Sequence, residues 1–181
     1  VATKGGRISS ATLKEYMGQD KKTPVTLFSG DDASMNFLFY NKKETIQTED
    51  YYFKVVDYTD STVTMRLSAD SASYIDFKYS MHNDTYLVDF TIDAVGMANK
   101  LASTKYVDIE WSQRARQIEK GYTYENRLSE LTYKSPETEP IIYLPARTMK
   151  KKLRNAWTGL LSKISSSPLY SWPMLILRRQ N

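Results

Sequence analysis

Three stretches decide the fold: Val63-Thr64-Met65-Arg66-Leu67-Ser68-Ala69, then Ile75-Asp76-Phe77-Lys78-Tyr79-Ser80-Met81, then Tyr86-Leu87-Val88-Asp89-Phe90-Thr91-Ile92-Asp93. Apolar residues recur at every second position: Val63, Met65, Leu67 and Ala69; Ile75, Phe77, Tyr79 and Met81; Tyr86, Val88, Phe90 and Ile92. Successive side chains of a strand point to opposite faces, so this period of two predicts three strands with one face each on a core. The connections Asp70-Ser71-Ala72-Ser73 and His82-Asn83-Asp84 are short, polar and of hairpin length. The three strands therefore run as an antiparallel meander.

Working outward, shorter apolar runs predict further strands over 8–13, 25–28, 35–40, 51–56, 107–111 and 128–134. About nine strands joined by polar turns predict an antiparallel sandwich, because two sheets must cover each other's apolar faces. No stretch before residue 140 carries a helical apolar stripe, and 113–120 reads as a polar loop following the strand that holds Trp111. The paired Gly5-Gly6 reads as a tight bend feeding the first strand, since glycine tolerates positive φ and close backbone approach.

The chain of 181 residues, 41% hydrophobic and 25% charged, is long enough for one sizeable core. Its 14 tyrosines suit pleated, half-buried surfaces. Cysteine is absent, which removes disulfides, thiol catalysis and thiolate metal sites. The chain opens at Val1 without methionine or a basic, apolar leader, so a targeting segment is expected upstream. The formal charge of +4 averages two unlike regions: residues 141–181 carry eight basic residues and no acid. Seventeen of the 25 basic and all 21 acidic residues precede them, a balance of −4 that leaves no nucleic-acid footprint on the folded part.

Candidate chemistry is sparse. A Ser-His-Asp system needs a base, and the single histidine, His82, sits in a polar turn beside Asn83 and Asp84, where a solvated turn residue is the expectation. One histidine and dispersed carboxylates leave no metal-ligand spacing, and Asp31-Asp32, Asp57 and Asp60 read as turn residues. Gly5-Gly6 precedes a strand, whereas phosphate loops follow one. Tyr51-Tyr52-Phe53 and Phe37-Leu38-Phe39-Tyr40 place aromatics on both faces of their strands, the pattern of strands covered on both sides rather than of ligand platforms. No catalytic, cofactor-binding or metal residue is assigned, and no cofactor is expected.

Lys4-Gly5-Gly6-Arg7-Ile8, Leu13-Lys14-Glu15-Tyr16 and Val25-Thr26-Leu27-Phe28 resemble the start of the large periplasmic domain of the YidC/Oxa/Alb family of membrane protein insertases, in its Bacteroidetes form. Ser73-Tyr74-Ile75-Asp76-Phe77-Lys78-Tyr79, Tyr86-Leu87-Val88-Asp89-Phe90 with Val95-Gly96-Met97, and Ile109-Glu110-Trp111 are similar to its later blocks. Glu119-Lys120-Gly121, Glu125 and Leu131-Thr132-Tyr133-Lys134 follow in the same order. The resemblance implies an all-β, antiparallel supersandwich similar to galactose mutarotase, over residues 1–140 and truncated at its N-terminus. It also implies a position on the periplasmic side of the bacterial inner membrane. A fold licenses no catalysis by itself, and one histidine cannot build the two-histidine mutarotase site. The insertase core lies outside these residues, so no site residue is carried over.

The family continues with an acidic linker, a short amphipathic helix and a membrane segment. This chain departs from that pattern after residue 140, with Ile141-Ile142-Tyr143-Leu144-Pro145 followed by a basic, serine-rich stretch. Lys163, Pro168 and Pro173 interrupt any membrane span. An amphipathic surface helix over 150–161 is one reading. The preferred one is a frameshift near residue 141: AAG lysine and TCN serine codons read two bases later give a glutamate run and apolar residues similar to the family's continuation. The tail is then expected to be poorly structured or short-helical.

The leading functional expectation is a non-catalytic scaffold or docking domain of an insertase, with Sec-type translocase components and membrane protein clients as partners implied by the resemblance, and no nucleic acid. A carbohydrate-binding sandwich and a surface-binding protein acting through 147–179 are the alternatives.

Overall fold

The computed structural model describes residues 1–83, 85–103, 107–114, 116–118, 120–123, 130–135, 138–145, 159–163 and 175–178, the last four stretches by backbone alone. The readings that involve Asp84, Glu119, Glu125, the start of the 128–134 strand and the lysine run Lys150 to Lys152 lie outside the described residues. In chain order the strands are β1 (Ser10–Met17), β2 (Pro24–Ser29), β3 (Ala33–Tyr40), β4 (Thr45–Gln47), β5 (Lys54–Tyr58), β6 (Thr62–Ser68) and β7 (Tyr74–Met81). They continue as β8 (Val88–Val95), β9 (Asp108–Gln113), β10 (Glu130–Ser135), β11 (Thr138–Pro145), β12 (Gly159–Lys163) and β13 (Leu175–Arg178). Three sheets result: a hairpin β1-β2, a small sheet β4-β3-β9, and an eight-stranded sheet β11-β10-β12-β13-β8-β7-β6-β5. The chain is all-β and sandwich-like, with every pairing antiparallel except β13 on β8.

The meander forms as its alternation predicts. β6 pairs with β7 from Thr62↔Ser80 to Ser68↔Tyr74, and β7 with β8 from Tyr74↔Val95 to Met81↔Val88. Met65, Ile75, Phe77, Tyr79 and Phe90 face inward and meet Met35, Phe37 and Phe39 of β3 and Ile109 of β9. The small sheet is thus the second layer of the sandwich. Phe77 is its centre, fully buried, with ring centroids 4.9 Å from Phe37, 4.7 Å from Phe53 and 5.2 Å from Phe90. Burial of this kind stabilises by about 2 kcal/mol or more per large side chain, with further gain from the tilted aromatic packing.

The polar face of the same strands is tied by charge. Arg66 donates to both carboxylate oxygens of Asp76 at 2.7 Å each and lies 3.5 Å over the Tyr74 ring, while Lys78 pairs with Asp93 at 2.5 Å. β3 is covered on both faces, as its aromatic run predicts: Asn36 and Leu38 are buried opposite Phe37 and Phe39. There the buried Thr48 hydroxyl accepts from the Phe37 amide at 2.9 Å, which satisfies a main-chain donor that the edge of a short β4 leaves open.

The opening glycines close the core. Gly5 and Gly6 take φ of +78° and +61°, and a Cβ on Gly6 would stand 3.0 Å from the rings of Phe53 and Phe77. The buried Tyr79 hydroxyl donates to the Gly6 carbonyl at 2.7 Å.

Several boundaries differ from the sequence expectation. β1 starts at Ser10 and runs to Met17, because Ile8 turns to pack on the main core. Tyr51 and Tyr52 precede β5 and are exposed, with only Phe53 of that trio buried, so they do not form a doubly covered strand. Asp57 belongs to β5 rather than to a turn. Tyr86 and Leu87 stay out of β8, where the Tyr86 ring instead packs on Tyr16, 5.9 Å between centroids. Beyond residue 140 the described segments are strands, not helix. Their apolar runs, such as Leu160-Leu161 and Leu175-Ile176-Leu177, are too short for a helical stripe, and their main chains are satisfied on the edges of β10 and β8. β11 itself crosses position 140.

Candidate functional site

The β1-β2 hairpin stands apart from the sandwich on a cluster of its own, Leu13, Val25 and Leu27, and touches the body through Tyr86 and Ile118. Its base is fixed by Arg7, whose guanidinium donates to the carbonyls of Ala33 at 2.7 Å and Gly30 at 3.3 Å. Its tip is an aspartate turn: the amides of Lys22 and Thr23 each donate to Asp20 Oδ1 at 2.9 Å, and the Thr23 hydroxyl donates to Oδ2 at 2.5 Å. These bonds, the Thr23 hydroxyl foremost, hold the Asp20 carboxyl down at about 2.

Between this hairpin and the ends of β6, β7 and β9 lies an apolar cleft of about 600 Å³. Met35 and Tyr79 line it as buried residues, with Val63, Val88 and Trp111 half-buried beside them. Ser10 to Leu13 form one wall, and four consecutive lining residues mean that the β1 main chain itself borders the cleft. Another part of the rim is the exposed Met81 at the end of β7 and the loop that follows, which brings His82 and Tyr86.

Polar chemistry at the cleft is limited and mostly spoken for. His82 Nε2 lies 2.9 Å from Asp89 Oδ2, so the turn histidine is exposed, as its sequence context predicts, and hydrogen-bonded to the next strand. The Tyr86 phenol is pushed up to about 12, first by its hydrogen bond with Tyr16, then by desolvation and by the nearby Tyr16 and Glu15. Burial raises Tyr79 above the ordinary phenol range. The Tyr79 hydroxyl is committed to the Gly6 carbonyl, and the apolar lining suits apolar groups or an extended chain more than proton transfer.

Asp31 and Asp32 lie in a 3-10 turn, where Asp32 accepts from Arg116 at 2.7 Å, and Asp60 lies in the β5-β6 turn at the cleft rim. Among the described residues no group of three His, Asp or Glu side chains could hold a metal ion. No helix among them is long and apolar enough to cross a membrane. Sequence reading missed the cleft, because its walls come from seven separated segments. The signal available was only the exposed Met81 and Tyr86 flanking a turn.

The family model of the YidC periplasmic domain matches residues 1–163. The chain is 71% identical over 132 residues to a membrane protein insertase YidC of Bacteroides fragilis, covering 72% of this chain and 21% of the relative. It is 53% identical over 135 residues to that of Phocaeicola vulgatus, covering 74% and 22%. To that of Azobacteroides pseudotrichonymphae it is 36% identical over 174 residues, covering 92% and 28%. The chain thus spans about a fifth to just over a quarter of the length of these relatives. No solved structure matches. With a family match over most of its length and an all-β sandwich to carry it, the chain belongs to the family of YidC periplasmic domains, on the periplasmic side of the inner membrane.

Proposed function

We propose that this domain is a non-catalytic scaffold of a membrane protein insertase, and that the cleft beside the β1-β2 hairpin is its docking face for translocase components or client segments. The observation that carries the reading is the apolar cleft between β1 and the loop after β7, on a domain whose relatives are named insertases. Such a surface binds without needing an activated nucleophile. Site-specific photo-cross-linking in the full-length insertase tests it. A photoreactive residue at Met81 should give adducts with a translocase subunit or a nascent membrane protein, and one at the exposed Lys43 should not. Equal adducts from both positions, or none from Met81, would dismiss the cleft as the docking face.

A carbohydrate ligand is the competing reading, motivated by Trp111 and Tyr86 in the lining. A glycan array with the isolated chain separates the two, since docking of a polypeptide predicts no glycan signal.

We further propose that a frameshift near residue 141 replaces the native continuation and that the tail takes no part in this role, although the family model's match runs on to residue 163. The abrupt loss of acidic residues at that point supports it. Sequencing the coding DNA decides the matter: an alternative frame with no insertase-like segment overturns it.

A further inference from the structure

β5 ends the eight-stranded sheet, and all five of its residues are exposed. Val55 and Val56 are each 46% exposed and Tyr58 76%, so an apolar strip runs along an open main-chain edge. Such an edge is a template for another strand unless charge or irregularity opposes pairing. β5 carries charges of both signs and a bulge, and the bulge decides whether those charges oppose a second copy or match it. Its pairing with β6 slips between Val55 and Asp57, leaving Val56 as an extra residue: Lys54 stands opposite Arg66 and Val55 opposite Met65, then Asp57 opposite Thr64.

That bulge changes which residues share a face. Met65 faces the core, so Arg66 and Thr64 face outward, and Lys54 and Asp57 opposite them lie on the same outer face. In a regular strand, residues three apart would lie on opposite faces. Charges of opposite sign three positions apart on one face make the strand complementary to itself reversed. Neither charge is used elsewhere: Arg66 is taken by Asp76, and among the described residues Lys54 and Asp57 make no ion pair.

We propose that β5 is a self-docking edge, at which two copies of this chain pair antiparallel across a two-fold axis, Lys54 opposite Asp57 of the second copy and Val55 opposite Val56. The axis doubles every contact, giving two charge pairs on the outer face and two valine pairs on the other. The interface is small, so the dimer is weak in solution. Pairing through β5 leaves the cleft unused.

Sedimentation velocity of the full chain over roughly 1 µM to 1 mM reads the association, and hydrogen exchange at the two ends of that range reads its location. The expected result is a reversible monomer–dimer equilibrium with amide protection rising with concentration in 54–58. Lys54→Asp or Asp57→Lys alone sets like charges opposite each other twice and should weaken the dimer about tenfold. The combined Lys54→Asp/Asp57→Lys variant restores opposite charges and should recover it. A chain monomeric throughout, single reversals without effect, or a folded double variant that stays as weak as the singles overturns the proposal.

Discussion

The 62–95 meander and the strands after residue 138 both belong to one eight-stranded sheet, yet they are held in different ways. β7 is paired on both sides, all eight residues to β8 and seven to β6, and its inward side chains meet a second sheet. β13 is joined to β12 at one residue position and to β8 at four. A strand can be recruited to a sheet by its main chain alone, but its place is specified by side chains buried against a partner layer. Stability should therefore concentrate in the meander and its aromatic centre and fade along the sheet toward β13.

The largest expected effect is at that centre. Phe77→Ala removes a fully buried ring that touches three other aromatic residues and should cost about 3–5 kcal/mol in urea denaturation, enough to unfold much of a marginal domain. A loss below 1 kcal/mol would mean that the meander is not where stability resides.

Next comes Gly6→Ala. The left-handed backbone and the 3.0 Å approach to Phe53 and Phe77 predict a loss of about 2–3 kcal/mol, although the residue lies far outside the meander in sequence. Gly30→Ala is the control, because it shares the positive φ but has open space at its Cβ, and should cost about 1–2 kcal/mol. Equal losses at both positions would show that backbone strain alone, without the ring contact, accounts for the first.

Smaller still is the hairpin's aspartate turn. The Asp20 carboxyl is held at about 2 in the folded chain, against about 3.9 when unfolded, so its stabilising contribution is complete above about pH 4 and is lost as pH falls toward 2. Urea midpoints of the parent and of Asp20→Asn should differ at pH 5 to 7 and converge near pH 2. A difference independent of pH would exclude the charge as its source.

The smallest effect is expected at the far end of the sheet. Ending the chain after residue 145 removes β12 and β13 and should shift the unfolding of the meander by no more than about 0.5 kcal/mol. A loss of several kcal/mol would make those strands part of the cooperative core.

How much was legible in the chain follows the same gradient. The meander was readable because each strand carries its own alternation, and short polar turns fix which strands are neighbours. β3 was readable from Phe37 to Tyr40, where apolar residues at adjacent positions signal cover on both faces. The bulge in β5 was not, since nothing in Lys54-Val55-Val56-Asp57 marks the extra residue until its partner strand is known. β4 is too short to carry a pattern. The tail strands resisted because an apolar run of three or four residues does not distinguish strand, helix and loop. The cleft was hidden for a related reason: Leu13, Met35, Tyr79 and Trp111 become neighbours only when the hairpin and both layers are in place.

The bond from the Tyr79 hydroxyl to the Gly6 carbonyl spans 73 positions of chain. In a chain that is synthesised amino end first, residues 1–7 are made long before the ring and hydroxyl that hold them. The sandwich cannot close until β7 is delivered, and such distant closure slows folding through the entropy of the intervening loop. Until then Gly5 and Gly6 lack the rings and the hydroxyl that hold them in the core. The core is closed by contacts between distant stretches of chain rather than by sequence neighbours.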